Sequence, residues 1–512
     1  MPKGKKQALT LVGLCVLLIA GVCLYFLMPK GEDSDSEGEE SKTETVRVVN
    51  IDSEKITAIS IQSEGEDDIS LKKQEDTWKL EEMPEAPIDK DVVEGLFECL
   101  SPVTATKELA GGESELSEYG LDKPQMKVNI STSDGKEYEI RFGDTVPVSG
   151  GNYGMTADSE AVYTFNDTLF NSLHVEKNSL ITKEEVAEIN SDYLTLISVK
   201  NGDKTTFKAE IVPDDKKVDA YTNWVISEPY KKPLAGSCTD DWNTLQGFFT
   251  SVSFQDLVEY GCSDMKKYGL DEPSAEVKVG YFEIKDGYEE PETTAEPENG
   301  SGSQTNKNTN KAAVVPEKYR NNKGYTLYFG KQNENGDYYV RLKDSNNVYT
   351  LSSDSAVSMT GVDAYTYMDH SVYSTLATDI KGYDVTIGKT GKKISVTHST
   401  EKGEDGKDKN VWTLNGKTVS EEKEEEFLTP YSKAFLLEFT SSAKDTVKPK
   451  RKEPVLSLVY HEENRDVKVT YYPYDGTNFY RVDKDGMDYF LVDKLSVDAV
   501  IEAFESLLEL DQ

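Results

Sequence analysis

Histidine and cysteine are scarce in this chain, at four and five of 512 residues. His174, His370, His398 and His461 stand outside metal-ligand spacing of one another, so no zinc-type cluster is written in the sequence. The stretch His461-Glu462-Glu463-Asn464-Arg465 lacks the second histidine of a zinc-protease helix. A Gly-x-Ser-x-Gly elbow, a phosphate loop and a dinucleotide glycine pattern are also missing. Ser399 to Lys402 matches Ser-x-x-Lys at chance level, in what reads as a polar loop. Asp483 to Asp488 looks like half a calcium loop, but Lys494 stands where the bidentate glutamate belongs, so a hairpin turn is the better reading. No catalytic, cofactor-binding or metal-ligating residue is expected, and the chain reads as a non-enzyme. A carboxylate pair hidden among the 94 acidic residues is the one enzymatic route left open.

Basic residues are also in short supply, with 57 Lys and Arg against 94 Asp and Glu and a net charge of −37. Nucleic acid is thereby excluded as a partner, because phosphate-backbone affinity comes from a net basic face. Wholesale disorder is excluded as well, since 10% of the chain is aromatic, including 29 tyrosines.

Long apolar runs are limited to one. Ala8 to Met28 is 21 residues without a charge, enough to cross a bilayer core of about 30 Å as a helix. Lys3, Lys5 and Lys6 precede it and an acidic stretch follows. This predicts a cytoplasmic tail (1–7), a transmembrane helix (8–28), an acidic disordered linker (29–45) and an extracytoplasmic remainder. A cleaved signal peptide would have a shorter apolar region, of about 7–15 residues, and small residues at its exit. Beyond the anchor stand only Cys99, Cys238 and Cys262, an odd number that builds no disulfide framework. Cys99 falls in the apolar pattern of a helix and reads as a buried thiol. A bridge between Cys238 and Cys262 stays open.

What is present is a repeat. Trp78 opens a series of a Trp strand, a Pro-containing turn, a helix over Asp89 to Leu100, the turn Tyr119-Gly120-Leu121-Asp122-Lys123-Pro124, Phe142-Gly143, and strands from Tyr153 to Tyr163. Trp224 opens the same series, with a helix over Asp240 to Phe249, Tyr268-Gly269-Leu270-Asp271-Glu272-Pro273, Phe329-Gly330, and strands from Tyr339 to Tyr349. The Trp-to-Tyr offsets are 41 and 44, and both Tyr-to-Tyr offsets are 10. A Pro-, Glu- and Asn-rich tract at 284–324 accounts for the extra length of the second copy and reads as a disordered insertion in a hairpin. A third, degenerate copy begins near Trp412, with a helix near Glu421 to Leu437, and lacks the Tyr-Gly-Leu-Asp stretch. Units are expected at 46–182, 183–372 and 373–512. Period-two alternation followed by one amphipathic stretch makes the fold α+β, with mostly antiparallel sheet and one main helix per unit.

Each Tyr-Gly-Leu-Asp-x-Pro stretch reads as a helix stop. The glycine takes the left-handed conformation past the last turn, and the leucine then packs back onto Leu116 or Met265. Pro124 and Pro273 prevent helix continuation. Trp78, Trp224 and Trp412 sit in apolar strands and are expected in the core rather than in a sugar-stacking series.

The Trp strands, the two Tyr-Gly-Leu-Asp-x-Pro turns, the Phe-Gly pairs and the Val-Tyr strands (162–163 and 348–349) resemble the bacterial domain-of-unknown-function 4340 family over most of 46–372. The resemblance implies an extracytoplasmic, membrane-tethered α+β protein of a kind often associated with ABC-type transporters. It brings no catalytic residues. The function expected is therefore a membrane-anchored, non-enzymatic accessory module of an envelope transport or export system. A cell-surface ligand- or glycan-binding protein and an extracellular hydrolase remain as alternatives.

Overall fold

A computed structural model describes residues 45–109, 113–147, 150–213, 216–218, 222–289, 315–403, 407–443 and 453–510. The expected tail, transmembrane helix and nearly all of the acidic linker lie outside the described residues, as does the middle of the 284–324 tract. Among the described residues no helix is long and apolar enough to cross a membrane.

The chain packs as two compact units, the described part of Met1–Glu64 with Leu96–His174, and Gly65–Gly95 with Val175–Gln512. In the first unit the short strands β1 (Val46–Val49) and β5 (Val103–Ala105) pair antiparallel. Its main sheet carries β2 (Ile56–Ser63), β6 (Lys107–Leu109), β7 (Met126–Thr132), β8 (Glu137–Thr145), β9 (Asn152–Thr156) and β10 (Val162–Phe165), in the order β2-β7-β8-β9-β10-β6. Alternation explains the strands: in β7, Met126, Val128 and Ile130 are fully buried while the residues between them are half-exposed.

The second unit begins with the hairpin β3 (Ile69–Gln74) and β4 (Thr77–Leu80). It then builds two nine-stranded sheets. One contains β11 (Leu194–Asn201), β12 (Lys204–Ile211), β13 (Trp224–Glu228), β14 (Leu234–Ala235), β15 (Leu257–Glu259), β16 (Ala275–Ile284), β17 (Arg320–Gln332), β18 (Tyr338–Leu342) and β19 (Val348–Leu351). The other contains β20 (Gly382–Ile387), β21 (Lys392–Lys402), β22 (Asp408–Leu414), β23 (Lys417–Thr418), β24 (Ser441–Ser442), β25 (Leu456–His461), β26 (Asp466–Pro473), β27 (Phe479–Lys484) and β28 (Met487–Asp493). Their orders are β14-β13-β12-β11-β16-β17-β18-β19-β15 and β23-β22-β21-β20-β25-β26-β27-β28-β24.

The repetition is therefore topological. The order β2-β7-β8-β9-β10-β6 reappears as β11-β16-β17-β18-β19-β15 and as β20-β25-β26-β27-β28-β24. The hairpin β3–β4 holds the chain position of β12–β13 and β21–β22. In each copy one helix connects the Trp strand to the far edge strand: α1 (Lys90–Glu98), α3 (Asp240–Thr250) and α6 (Glu424–Phe435). A second helix follows the last long strand: α2 (Asp167–Leu173), α4 (Ser353–Thr360) and α7 (Lys494–Leu510), with α5 (Ala364–Tyr367) after α4. Capping repeats too, since Asn166, Ser352 and Asp493 each accept a backbone N–H in the first turn of the helix that follows. The fold is α+β with mostly antiparallel sheets.

Three details depart from the sequence reading. Strands β16 and β17 pair without a break from Ala275↔Phe329 to Ile284↔Arg320, so residues 320–324, read as part of the insertion, belong to the ladder. Val315 is buried against the end of that ladder with Phe282. Helix α7 was not foreseen: Val497, Val500, Phe504 and Leu507 form its buried stripe, and it packs on α6. Ser399 to Lys402 lie on β21, not in a loop.

Candidate functional site

The repeated turns end short 3₁₀ segments, Glu113–Tyr119 and Met265–Tyr268. Gly120 and Gly269 take φ of 68° and 69°. The Leu121 N–H donates to the Leu116 carbonyl at 2.9 Å, and the Leu270 N–H donates to the Met265 carbonyl at 3.0 Å. Both are the long-range bond of a left-handed helix stop. Leu121 is buried with Leu116, Met155 and Val162, while Leu270 is buried with Met265, Cys262 and Val348. The motif tyrosines have a common seat: the Tyr119 ring lies 4.9 Å from Tyr153, and the Tyr268 ring 4.8 Å from Tyr339. Tyr268 also donates its hydroxyl to Glu259 at 2.6 Å, which holds that carboxyl below its ordinary range, with Lys267 3.2 Å away. Asp122 and Asp271 are exposed, and Pro124 and Pro273 half-buried, at the entry to β7 and β16.

A contribution that the sequence did not reveal comes from the Phe-Gly pairs. Gly143 and Gly330 lie beneath the motif carbonyls of Tyr119 and Tyr268, so the turn is laid directly on the β8 or β17 backbone. Turn and Phe-Gly pair thus form one closure of helix stop on sheet.

The tryptophans are not equivalent. Trp224 and Trp412 are 3% and 2% exposed, whereas Trp78 is half-buried on β4. Trp224 packs on Trp242 of α3 at 5.3 Å. Trp412 stacks on His398 at 4.3 Å and donates its indole N–H to Glu424 at 2.9 Å. Cys99, Cys238 and Cys262 are thiols, so no bridge joins Cys238 to Cys262. Among the described residues no group of three or more His, Cys, Asp or Glu is arranged around a metal position. Asp483 to Gly486 forms the β27–β28 turn, with the Gly486 N–H donating to the Asp483 carboxylate at 2.7 Å.

Where the second sheet's β13–β14 connection meets the β27–β28 hairpin of the third, the second unit carries a cleft of about 300 Å³. Tyr230 anchors the connection against Tyr489 at 4.8 Å and Phe490 at 5.3 Å, and the Lys232 N–H donates to the Tyr489 hydroxyl at 3.1 Å. Arg465 reaches across to the Val218 carbonyl at 3.3 Å. The sequence reading touched Arg465 and the Asp483–Asp488 stretch only as a failed zinc-protease helix and half a calcium loop, and did not bring the cleft residues together, because the juxtaposition joins segments more than 200 positions apart.

The model of the family described as Domain of unknown function (DUF4340) matches residues 78–234 and 224–452. The two matches begin on Trp78 and Trp224, the residues that open the two complete repeats. No curated protein and no solved structure matches the chain.

Proposed function

The chain belongs to the DUF4340 family, and from that premise we propose that it is a membrane-anchored, extracytoplasmic, non-enzymatic accessory module of a bacterial envelope transport or export system. Residues 8–28 are the single anchor, with Lys3, Lys5 and Lys6 holding the N-terminus on the cytoplasmic side. The carrying observation is that the repeated residues are used in construction. Tyr119, Gly120, Leu121 and Gly143, with Tyr268, Gly269, Leu270 and Gly330, close helix stops onto sheets. What repetition produces here is similar antiparallel sheets in tandem along the chain, and tandem repeats of one structural unit commonly serve binding between proteins. The association with ABC-type transporters that the sequence resemblance implies suggests the class of partner. Affinity pull-down of the full chain from detergent-solubilised membranes tests the reading. Co-purification of a transporter or envelope subunit supports it, and recovery of the chain alone overturns it.

The cleft between the second and third sheets favours a second reading, a ligand-binding protein of the cell surface. The two readings are separable, since a small ligand binds the purified chain with no partner present.

A further inference from the structure

A further cleft of about 290 Å³ lies in the second unit, where the C-terminal half of α3 and the residues after it face the end of β19 and helix α4. It shares no lining residue with the cleft at the β13–β14 connection. Its lining is of two kinds. Leu351 and Met359 are buried and make an apolar base, with Phe248 and Val252 half-buried beside them. The rest is the hydroxyls of Ser251, Ser253, Ser355 and Ser358 and one charged group, the carboxylate of Asp354.

The fold does not use these polar groups. Among the described residues, the side chains of Asp354, Ser251, Ser253 and Ser358 make no hydrogen bond or ion pair. Asp354 stands in the first turn of α4, where a carboxylate often serves as a cap. Here Ser352 has that role, since its hydroxyl oxygen accepts the Ser355 N–H at 3.3 Å. Gly247 lines the same cleft from inside α3. Only proline suits a helix interior less than glycine, and no neighbour requires it, because a Cβ there would meet nothing within 4 Å. What the missing side chain leaves is open volume in the cleft wall.

The chemistry of the lining selects the occupant. An anion would meet Asp354 in a chain of net charge −37, with no basic side chain in the lining. A metal ion needs several oxygen ligands of fixed geometry, and the cleft offers one carboxylate. A neutral molecule would cover that carboxylate and leave it unpaired. An ammonium group brings three donors to carboxylate and hydroxyl oxygens, and a carbon skeleton behind it covers the apolar base. A volume of about 290 Å³ equals roughly ten waters of liquid, room for a one-ring molecule.

We propose that this cleft binds a small primary amine with an apolar body, its ammonium group held by Asp354 among the serine hydroxyls and its body resting on Leu351, Met359 and Phe248. The site stands apart from the accessory-module reading, because it requires neither membrane nor protein partner, so the two can fail independently. Calorimetric titration of the purified full chain tests it, with 2-phenylethylamine, neutral 2-phenylethanol and ammonium chloride as probes. Saturable one-to-one binding is expected for the amine, at least about tenfold tighter than for the alcohol or for ammonium, and weakening as salt is raised. Asp354→Asn keeps the shape of an exposed side chain and removes its charge. It is expected to lose at least about tenfold in affinity for the amine while its circular dichroism stays unchanged. Asp158→Asn, at an exposed position between β9 and β10 of the first unit, removes the same charge elsewhere and is expected to leave the affinity unchanged. That control separates the cleft from the general attraction of an acidic protein for cations. Gly247→Leu fills the open wall and is expected to abolish binding of the amine in a folded protein. No saturable binding of the amine, equal affinity for amine and alcohol or for amine and ammonium, undiminished affinity in Asp354→Asn or Gly247→Leu, or an equal loss in Asp158→Asn would each overturn the proposal.

Discussion

A Cβ placed on Gly330 would stand 2.2 Å from the carbonyl oxygen of Tyr268. The first repeat has the same relationship, with 2.1 Å between a Cβ on Gly143 and the Tyr119 carbonyl. The third repeat supplies the internal control. Register aligns Phe142, Phe329 and Tyr471, which face Met126, Ala275 and Leu456. The next position is Gly143, Gly330 and then Tyr472. Where the Tyr-Gly-Leu-Asp turn is missing, the glycine beneath it is missing too. The two motifs are one device, and glycine is required because one backbone passes over another.

Replacing Gly330 or Gly143 by alanine is therefore expected to destabilise the repeat that contains it by about 1–3 kcal/mol, since backbone on both sides has little room to yield. Gly247 of α3 is the counter-case, with open space where its Cβ would fall. Its replacement by alanine is expected to stabilise by about 0.5–1 kcal/mol through helix propensity. Urea midpoints of the three variants check both signs, and an unchanged midpoint for Gly330→Ala would sink the close-approach account.

The turn glycines give a graded prediction. Valine at Gly120 or Gly269 forces a branched residue into the left-handed region, which costs roughly 1–2 kcal/mol before any clash. At Gly120 a Cβ also meets the Asp144 backbone nitrogen at 2.9 Å, whereas the nearest atom at Gly269 is 3.2 Å away. Gly120→Val is expected to lower the melting temperature more than Gly269→Val, and asparagine at either position is expected to lower it less than valine. A reversed order would show that φ alone does not set the cost.

The repeats were legible because each depends on local signals that recur in fixed order: Trp in a strand, Gly after a short helix, Pro three residues beyond Leu. The third copy keeps its strand Trp412 but has lost the Tyr-Gly-Leu-Asp turn, yet its sheet has the same strand order, because alternation in β25 and β26 needs only apolar residues at every second position. The family match likewise ends at residue 452, before those strands begin. Helix α7 carried its stripe in plain view at Val497, Val500, Phe504 and Leu507 but belonged to no repeated motif. Trp78 matched Trp224 in sequence but not in burial, because the depth of a side chain depends on what covers the strand. The cleft at the β13–β14 connection could not be read at all, because Lys232 and Lys484, which both line it, are brought together by the packing of one sheet's connection on another sheet's hairpin.

Thiol chemistry separates the three described cysteines. Burial pushes the Cys99 thiol up to about 11, and its Sγ hydrogen-bonds to the Leu96 carbonyl. Cys262 is also raised, first by burial and then by the Glu259 carboxylate. Cys238 is exposed. Iodoacetamide at mildly alkaline pH is expected to modify Cys238 first, with Cys99 and Cys262 reacting only as the protein unfolds. Peptide mapping by mass spectrometry after short exposure reads the order. Rapid labelling of Cys99, or a Cys238–Cys262 crosslinked peptide from oxidised material, would contradict the structure.

His461 gives the chain a pH-dependent contact in its third sheet. Its Nδ1 lies 2.8 Å from Asp466 and its Nε2 lies 3.2 Å from Asp384, across the β25–β26 and β20–β25 pairings. The hydrogen bond to Asp466 is the larger cause, and the Asp384 carboxylate adds to it, so the folded imidazole is held above its ordinary value of 6.5 against an opposing effect of burial. A raised folded value means that the folded state binds the proton more tightly than the unfolded chain. The contribution is fully present below the unfolded value, near 6.5, and is lost as pH rises through the higher folded value. His461→Gln is therefore expected to destabilise the protein at pH about 5.5 and to have less effect at pH about 9. Urea midpoints of wild type and variant across that range measure the difference, and a gap that widened with rising pH would overturn the assignment of the proton to this histidine.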